Sequence, residues 1–259
     1  MTLSRRTFSA ALIGGAAASL AGAKAVGAPT ALSRPPKARN VVLVHGLFAD
    51  GSCWSEVISV LQSKGLNVTS AQNPLTTLAD SVAAAQRVLD RQDGPTVLVG
   101  HSFGGMIVTQ AGVHTTASAL VYIAARAPDT NEDFAALAKQ YPAPPASAGI
   151  VYDGDEGRLS EGAFLRDFAG DLPKARAKIL YATQCPFQKP LLAGKVTAAA
   201  WHTKPSFYAV SSNDRTINPD LQRFMAKRMN AKTIELQASH LSLISRPRDV
   251  SELILEAAG

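Results

Sequence analysis

The stretch VLVGHSFGG at residues 97–105 leaves the backbone few choices. Val97, Leu98 and Val99 read as a short buried strand, and Met106, Ile107 and Val108 begin a helical run towards Val113. Between them stands Gly100-His101-Ser102-Phe103-Gly104, a G-x-S-x-G pattern. A strand that turns straight into a helix forces its turn residue into a cramped conformation. Glycines two positions before and two after the serine leave room for it. Such a turn stands Ser102 at the end of a sheet, with backbone N–H groups of the helix start aimed where negative charge would develop. A plainer reading is a glycine-rich turn with an incidental serine, so the rest of the chain has to decide.

Apolar runs of strand length recur along the chain at residues 41–44, 66–71, 97–99, 119–124, 206–210 and 233–237. The first, Val41-Val-Leu-Val44, is continuously apolar, as a strand covered on both faces should be. Helical patterns separate the runs. Residues 52–64 place Trp54, Val57, Ile58 and Leu61 on one face, with Gly65 where a C-terminal cap belongs. Thr77-Leu-Ala-Asp80 is a capping-box variant that opens a helix through Val82, Ala85, Val88 and Leu89. Residues 219–229 read as a helix, and Ser245, with Pro247 near the first turn, is expected to cap a final helix running to Ala257. This alternation predicts an α/β fold, a doubly wound and mainly parallel six-stranded sheet. Its site belongs at the carboxyl ends of the strands.

The alternation stops after the fourth strand. Residues 127–204 are too long for an ordinary loop, bear prolines and are poor in strand signals. Short helices are expected at 130–140, 160–168 and 173–183, forming a helical cap over the site. Phe134, Phe164, Phe168, Phe187 and Trp201 either line its underside or form its core.

The N-terminus stands apart. Ser4-Arg5-Arg6-Thr7-Phe8 is a twin-arginine pattern followed by a weakly apolar Ala/Gly run at 10–23. This suits the export route for folded proteins, with the twin-arginine machinery as partner of the precursor and the periplasm as destination. Ala21-Gly22-Ala23 fits a small-x-small cleavage site and Ala28 is a second candidate. Residues 1–28 are therefore read as signal peptide and 29–259 as one domain. The formal charge of +6 owes Arg5, Arg6 and Lys24 to the signal. The remaining Lys and Arg are scattered, which gives no support to nucleic-acid binding. The body of the chain shows no apolar span of membrane length, so no stable membrane anchor is expected. His45, His101, His114, His202 and His240 show no metal-ligand spacing, and neither metal nor cofactor is expected. Cys53 and Cys185, 132 residues apart, are expected to stay unpaired.

Ser102, Asp214 and His240 each lie just beyond a predicted strand, which puts them on one edge of the sheet. A serine hydroxyl is a poor nucleophile until a base takes its proton. A neutral imidazole does that near pH 7, and a buried carboxylate holds the imidazole in the required tautomer. Asp129, after the preceding strand, is the rival acid. The loop after the first strand, His45-Gly46-Leu47-Phe48, offers the backbone of Leu47 as a second oxyanion donor beside Phe103. His45 and His101 are read as structural. Arg126, directly after a strand, would either orient an acidic substrate or pair with Asp129 or Glu132.

With these residues the sequence resembles the α/β-hydrolases over nearly all of residues 40–258. It resembles most the small-capped branch that includes plant methyl-ester esterases, hydroxynitrile lyases and many bacterial esterase-like proteins. The matching residues are Val42-Leu-Val-His-Gly46, Trp54, Gly100-His-Ser-Phe-Gly104, Asp214 and His240. The resemblance implies a serine nucleophile at Ser102, an acid at Asp214 and a base at His240, with oxyanion amides at Leu47 and Phe103. The lyases of this branch carry a threonine where this chain has Gly46, and a lysine directly after the catalytic histidine, where it has Leu241. Their absence turns the expectation from cyanohydrin cleavage to hydrolysis of a small-molecule ester or lactone. Ser102 also departs from the aspartate nucleophile of haloalkane dehalogenases. Cofactor-free perhydrolysis or C–C bond cleavage on the same triad, and ligand binding with little turnover, stay open.

Overall fold

A computed structural model describes residues 37–259. The twin-arginine pattern, its apolar run and the expected cleavage sites lie outside the described residues. The first two strands are β1 (Asn40–Val44) and β2 (Asn67–Ala71), joined through a short 3₁₀ turn and helix α1 (Ser55–Ser63). Helix α2 (Leu78–Leu89) leads to β3 (Thr96–His101), and α3 (Gly104–Ala111) to β4 (Ala117–Ile123). At the start of α2, Thr77 accepts from the Asp80 amide at 3.1 Å and donates to the Asp80 carboxylate at 2.7 Å. Thr77 thus caps the helix, and Asp80 accepts from its hydroxyl rather than from its backbone N–H.

After the cap come β8 (Ser206–Ser211), α7 (Pro219–Arg228), β9 (Lys232–Leu236), the short α8 (Ser242–Ser245) and α9 (Pro247–Ala258); the intervening strands and helices, between residues 134 and 188, belong to the cap. Ser245 does not cap the last helix, contrary to expectation. It ends α8, and Arg246 precedes Pro247 with no side-chain cap.

The six main strands lie in the order β2-β1-β3-β4-β8-β9, all parallel. The two central runs Val41–Val44 and Val97–Val99 are wholly buried, which explains their unbroken apolar character. The edge strands β2 and β9 carry Asn67, Thr69 and Ser70, and Lys232, Thr233 and Glu235, which keeps the open sheet margins polar. From β1 the chain moves to one side (β2) and then crosses to the other (β3). Right-handed crossovers therefore send α1 and α2 to opposite faces. Accordingly α1 packs with α9, and α2 with α3. The reversal also opens a crevice at the carboxyl ends of β1 and β3, where α/β sheets bind their ligands.

The cap is mixed rather than purely helical. Helix α4 (Phe134–Ala138) is followed by a hairpin of β5 (Ile150–Asp153) and β6 (Glu156–Leu159). Helix α5 (Glu161–Ala163) runs into a π-helical turn at Phe164–Phe168, then α6 (Lys174–Ala182), and β7 (Phe187–Gln188) joins the hairpin as a third antiparallel strand. Strands of two to four residues are too short to show an alternating pattern. The signal that betrays them is Asp153-Gly154 after Ile150-Val-Tyr152, with Gly154 at φ +57° in the turn.

Candidate active site

The register of the central strands builds the site. Val44 pairs with Gly100, so the loop His45-Gly46 and the end of β3 at His101, followed by Ser102, emerge side by side. Ser102 sits at φ +56°, a left-handed conformation costly for a residue with a Cβ, and is almost fully buried. Two glycines make this possible by close approach. A Cβ on Gly46 would lie 2.6 Å from the Ser102 Cβ and 2.9 Å from the His101 carbonyl oxygen. A Cβ on Gly104 would lie 2.5 Å from the Val44 carbonyl oxygen. The elbow is pinned from the other side by the Arg126 amide, which donates to the Ser102 carbonyl at 2.9 Å.

Asp214 and His240 come together as the sequence predicts. Asp214 lies three residues past β8 and His240 four past β9, and these strands are neighbours. Both side chains are fully buried. His240 Nδ1 stands 2.7 Å from Asp214 Oδ2. A carboxylate only accepts, so Nδ1 carries the proton and Nε2 is left with its lone pair. Nε2 has no hydrogen-bond partner among the described residues. The carboxylate is further held by the amides of Thr216 (2.7 Å) and Ile217 (3.0 Å) on Oδ1 and by Gln222 Nε2 (2.7 Å) on Oδ2. Four donors leave this carboxylate one orientation. The rival acid, Asp129, instead pairs with His202 at 2.8 Å and is partly exposed.

His101, the residue before the serine, packs against His240, while among the described residues no hydrogen bond joins Ser102 to His240 Nε2. The two histidine rings lie 4.7 Å apart, and His101 Nε2 donates to the His240 carbonyl at 3.0 Å. This bond ties the elbow to the loop that carries His240. Burial, reinforced by His240, holds His101 well below its ordinary pKa. His45 has a matching task on the other flank. Its Nδ1 donates to the Gly46 carbonyl at 2.9 Å, and its Nε2 accepts from the Asn73 amide at 3.2 Å, while Asn73 Nδ2 donates to the His45 carbonyl at 3.0 Å. Burial lowers its pKa too. The loop bearing Leu47 is thereby fixed to the segment after β2. Among the described residues neither the Leu47 nor the Phe103 amide donates to a protein acceptor. Two unused N–H groups beside a nucleophile are what an oxyanion requires.

The cap is stitched to both loops. Asp167, buried in the π-helical turn, accepts from Arg215 Nε at 2.7 Å and from Arg166 Nη2 at 2.6 Å. Thr216 Oγ1 donates to the Asp167 carbonyl at 3.2 Å, and the Ser239 amide donates to Asp171 at 3.0 Å. The residues flanking Asp214 and His240 are therefore held by the same segment of cap. Phe168 places its ring 5.2 Å from His240, edge-on to Phe48 at 5.7 Å. With Phe48, Phe164, Leu180, Leu241 and Ile244 it walls a small pocket whose lining also includes Asp50, Ser52 and Thr183.

The other expected lining residues divide. Phe164 belongs to that pocket, and Phe187 packs on Phe48 at 5.6 Å. Trp201 is not brought there: its indole N–H donates to the Pro128 carbonyl at 3.0 Å and its ring faces Arg228. Phe134 lies against the Arg126 guanidinium, 4.8 Å from its ring centroid. Arg126 pairs with neither Asp129 nor Glu132, because His202 takes the first and Arg228 the second, at 2.7 and 2.9 Å. Cys53 and Cys185 are free thiols. Sequence reasoning missed Gln222, Asn73 and Asp171, polar residues whose partners lie in remote segments. It also gave Phe48 no role.

A parallel sheet with a strained serine at the switch point, and a buried acid–base pair at neighbouring strand ends, defines a hydrolase of the nucleophile-elbow type. The chain belongs to the alpha/beta hydrolase family, whose model matches residues 41–253. It is 26% identical over 249 residues to a pyrethroid hydrolase of Sphingobium wenxiniae, covering 85% of this chain and 87% of that protein. It is 25% identical over 261 residues to methylesterase 7 of Arabidopsis thaliana, covering 85% and 96%. The crystal structure of polyneuridine aldehyde esterase superimposes with a TM-score of 0.74 at 19% identity, over 86% of this chain and all of that one.

Proposed function

We propose that this chain is a serine hydrolase that cleaves a small carboxylic ester or lactone through an acyl-serine intermediate. Ser102 attacks the carbonyl carbon as His240 Nε2 takes its proton. The oxyanion is held by the Leu47 and Phe103 amides, each such donor being worth ~3 kcal/mol of barrier. His240 then protonates the leaving alcohol and activates the water that frees the acid.

The observation that carries this reading is the buried Asp214–His240 hydrogen bond, which leaves Nε2 with a lone pair beside the elbow. The relatives point the same way: one is named a hydrolase and another a methylesterase. Gly46 and Leu241 argue against cyanohydrin cleavage. There is no space for a β-carbon at Gly46, and Leu241 puts a buried apolar side chain after the base.

The test is fluorophosphonate labelling of the purified protein with the modified peptide mapped by mass spectrometry. Label on Ser102, absent from Ser102→Ala, supports the reading. A folded wild-type protein that takes no label sinks it. The N-terminal pattern supports a second proposal, export to the periplasm by the twin-arginine route. Replacing Arg5 and Arg6 by lysine is expected to leave the precursor in the cytoplasm, and continued export would refute the assignment.

A further inference from the structure

Arg126 is a cation whose surroundings leave its donors unanswered. It lies three residues past β4, and its own amide holds the carbonyl of Ser102. Its guanidinium carbon lies 5.5 Å from the ring centroid of Phe103 and 4.8 Å from that of Phe134. One ring belongs to the residue whose amide is the candidate oxyanion donor, the other to the cap. Aromatic faces stabilise a cation through its own flat face. They do nothing for the five N–H groups, which lie in the guanidinium plane. Nε is buried without an acceptor, and among the described residues the guanidinium makes no hydrogen bond or ion pair. Both nearby carboxylates are engaged elsewhere, Asp129 by His202 and Glu132 by Arg228. Burial lowers the pKa of Arg126 to about 10, which still leaves it charged at neutral pH. The side chain is partly exposed, but a buried N–H left without an acceptor, as Nε is here, costs stability.

We propose that Arg126 is a specificity residue of the candidate site and that it receives a carboxylate carried by the ester substrate. The inference rests on the serine-hydrolase reading and narrows it to acidic esters, such as half-esters of short dicarboxylic acids. The planar fork of an arginine matches a carboxylate through two parallel hydrogen bonds. The rings of Phe103 and Phe134 hold the fork in place, so little rotational freedom is lost when the anion docks. The site then discriminates by leaving a buried polar group unpaired whenever a neutral ester enters, which separates substrates better than apolar contacts do.

The experiment uses two p-nitrophenyl alkylphosphonates of equal chain length, one ending in a carboxylate and one in a methyl group. Ser102 Oγ forms a bond to phosphorus, the P–O bond to p-nitrophenolate breaks, and the serine proton passes to His240. The burst of p-nitrophenolate reports the reaction without needing turnover. The wild-type protein is expected to react at least tenfold faster with the carboxylate probe. Arg126→Met is expected to remove that ratio. Arg126→Lys, which keeps the charge without the fork, is expected to fall between. Equal rates in the wild type, or a preference that survives in Arg126→Met, would overturn the proposal while leaving Ser102 as nucleophile. Failure of both probes to react would instead overturn the serine-hydrolase reading beneath it.

Discussion

Replacing Asp214 by asparagine tests the acid–base pair at its narrowest point. The carboxylate accepts four hydrogen bonds, from Thr216 N, Ile217 N, Gln222 Nε2 and His240 Nδ1, at 2.7 to 3.0 Å. An amide keeps one acceptor oxygen and must turn an NH2 group towards one of these pairs of donors. Facing Thr216 and Ile217 it would oppose two backbone N–H groups that cannot change. Facing His240 and Gln222 it opposes one amide N–H rather than two, and it meets a ring that can change, because a neutral imidazole moves its proton from Nδ1 to Nε2 and accepts instead. The second arrangement wins. It leaves Nε2 protonated and unable to take the serine proton. In triads this wrong tautomer costs about 10⁴ in kcat, which is about 5 kcal/mol of barrier. Loss of charge-assisted hydrogen bonds in a buried site also costs about 1–3 kcal/mol of stability, so Tm should fall by roughly 2–12 °C. The assay is p-nitrophenyl ester hydrolysis together with the rate of fluorophosphonate labelling, compared with Asp129→Asn. The reasoning fails if Asp214→Asn stays within tenfold of wild type, or if Asp129→Asn is the variant that collapses.

Gly46→Ala puts a methyl group 2.6 Å from the Ser102 Cβ and against the His101 carbonyl, neither of which can swing aside. It should slow labelling of Ser102 at least tenfold and cost about 1–3 kcal/mol by overpacking; wild-type labelling and Tm would show that the two loops move apart freely. The histidines predict an acid-side loss of stability. His45 and His101 are both depressed by burial, so below pH about 6.5 the unfolded chain binds protons that the folded chain does not. Stability should therefore be full above that pH and fall as pH drops below it, by up to about 1.4 kcal/mol per pH unit for each histidine. Chemical denaturation between pH 7.5 and 5.5 measures the slope, which a His45→Gln, His101→Gln double variant should flatten; an equal slope in both proteins would place the titration elsewhere.

The stitching of the cap gives these site predictions a common structural basis. The π-helical turn and the segment after it engage Arg215 and Thr216 beside Asp214, and Ser239 beside His240. Asp214 and His240 are thus positioned by groups from the cap as well as by their own strands. Gln222 adds a third anchor: it donates to Asp214 and to the Ile217 carbonyl (3.0 Å), and its oxygen accepts from the Ser211 amide (3.0 Å).

By itself the amino-acid sequence determined the repeating architecture and the three candidate residues at the strand ends. The reason is that buried parallel strands must be continuously apolar, elbows need small neighbours, and strand order in the chain places strand ends on one edge. All six main strands were legible within a residue or two. The hairpin of the cap was not, because four-residue strands carry no period and their pairing with Phe187-Gln188 depends on a segment 30 or more residues away. Only the tertiary structure chose Asp214 over Asp129, since the choice lies in which carboxylate reaches the imidazole. Only it showed that His45 ties the Leu47 loop to the segment after β2, through Asn73, and that His101 ties the serine turn to the loop of His240. The same holds for Arg126. In sequence it has two acidic residues within six positions, and in space His202 and Arg228 have already taken both. Partners like these come from chain segments brought together by packing, and no local pattern of residue types encodes which of them meet.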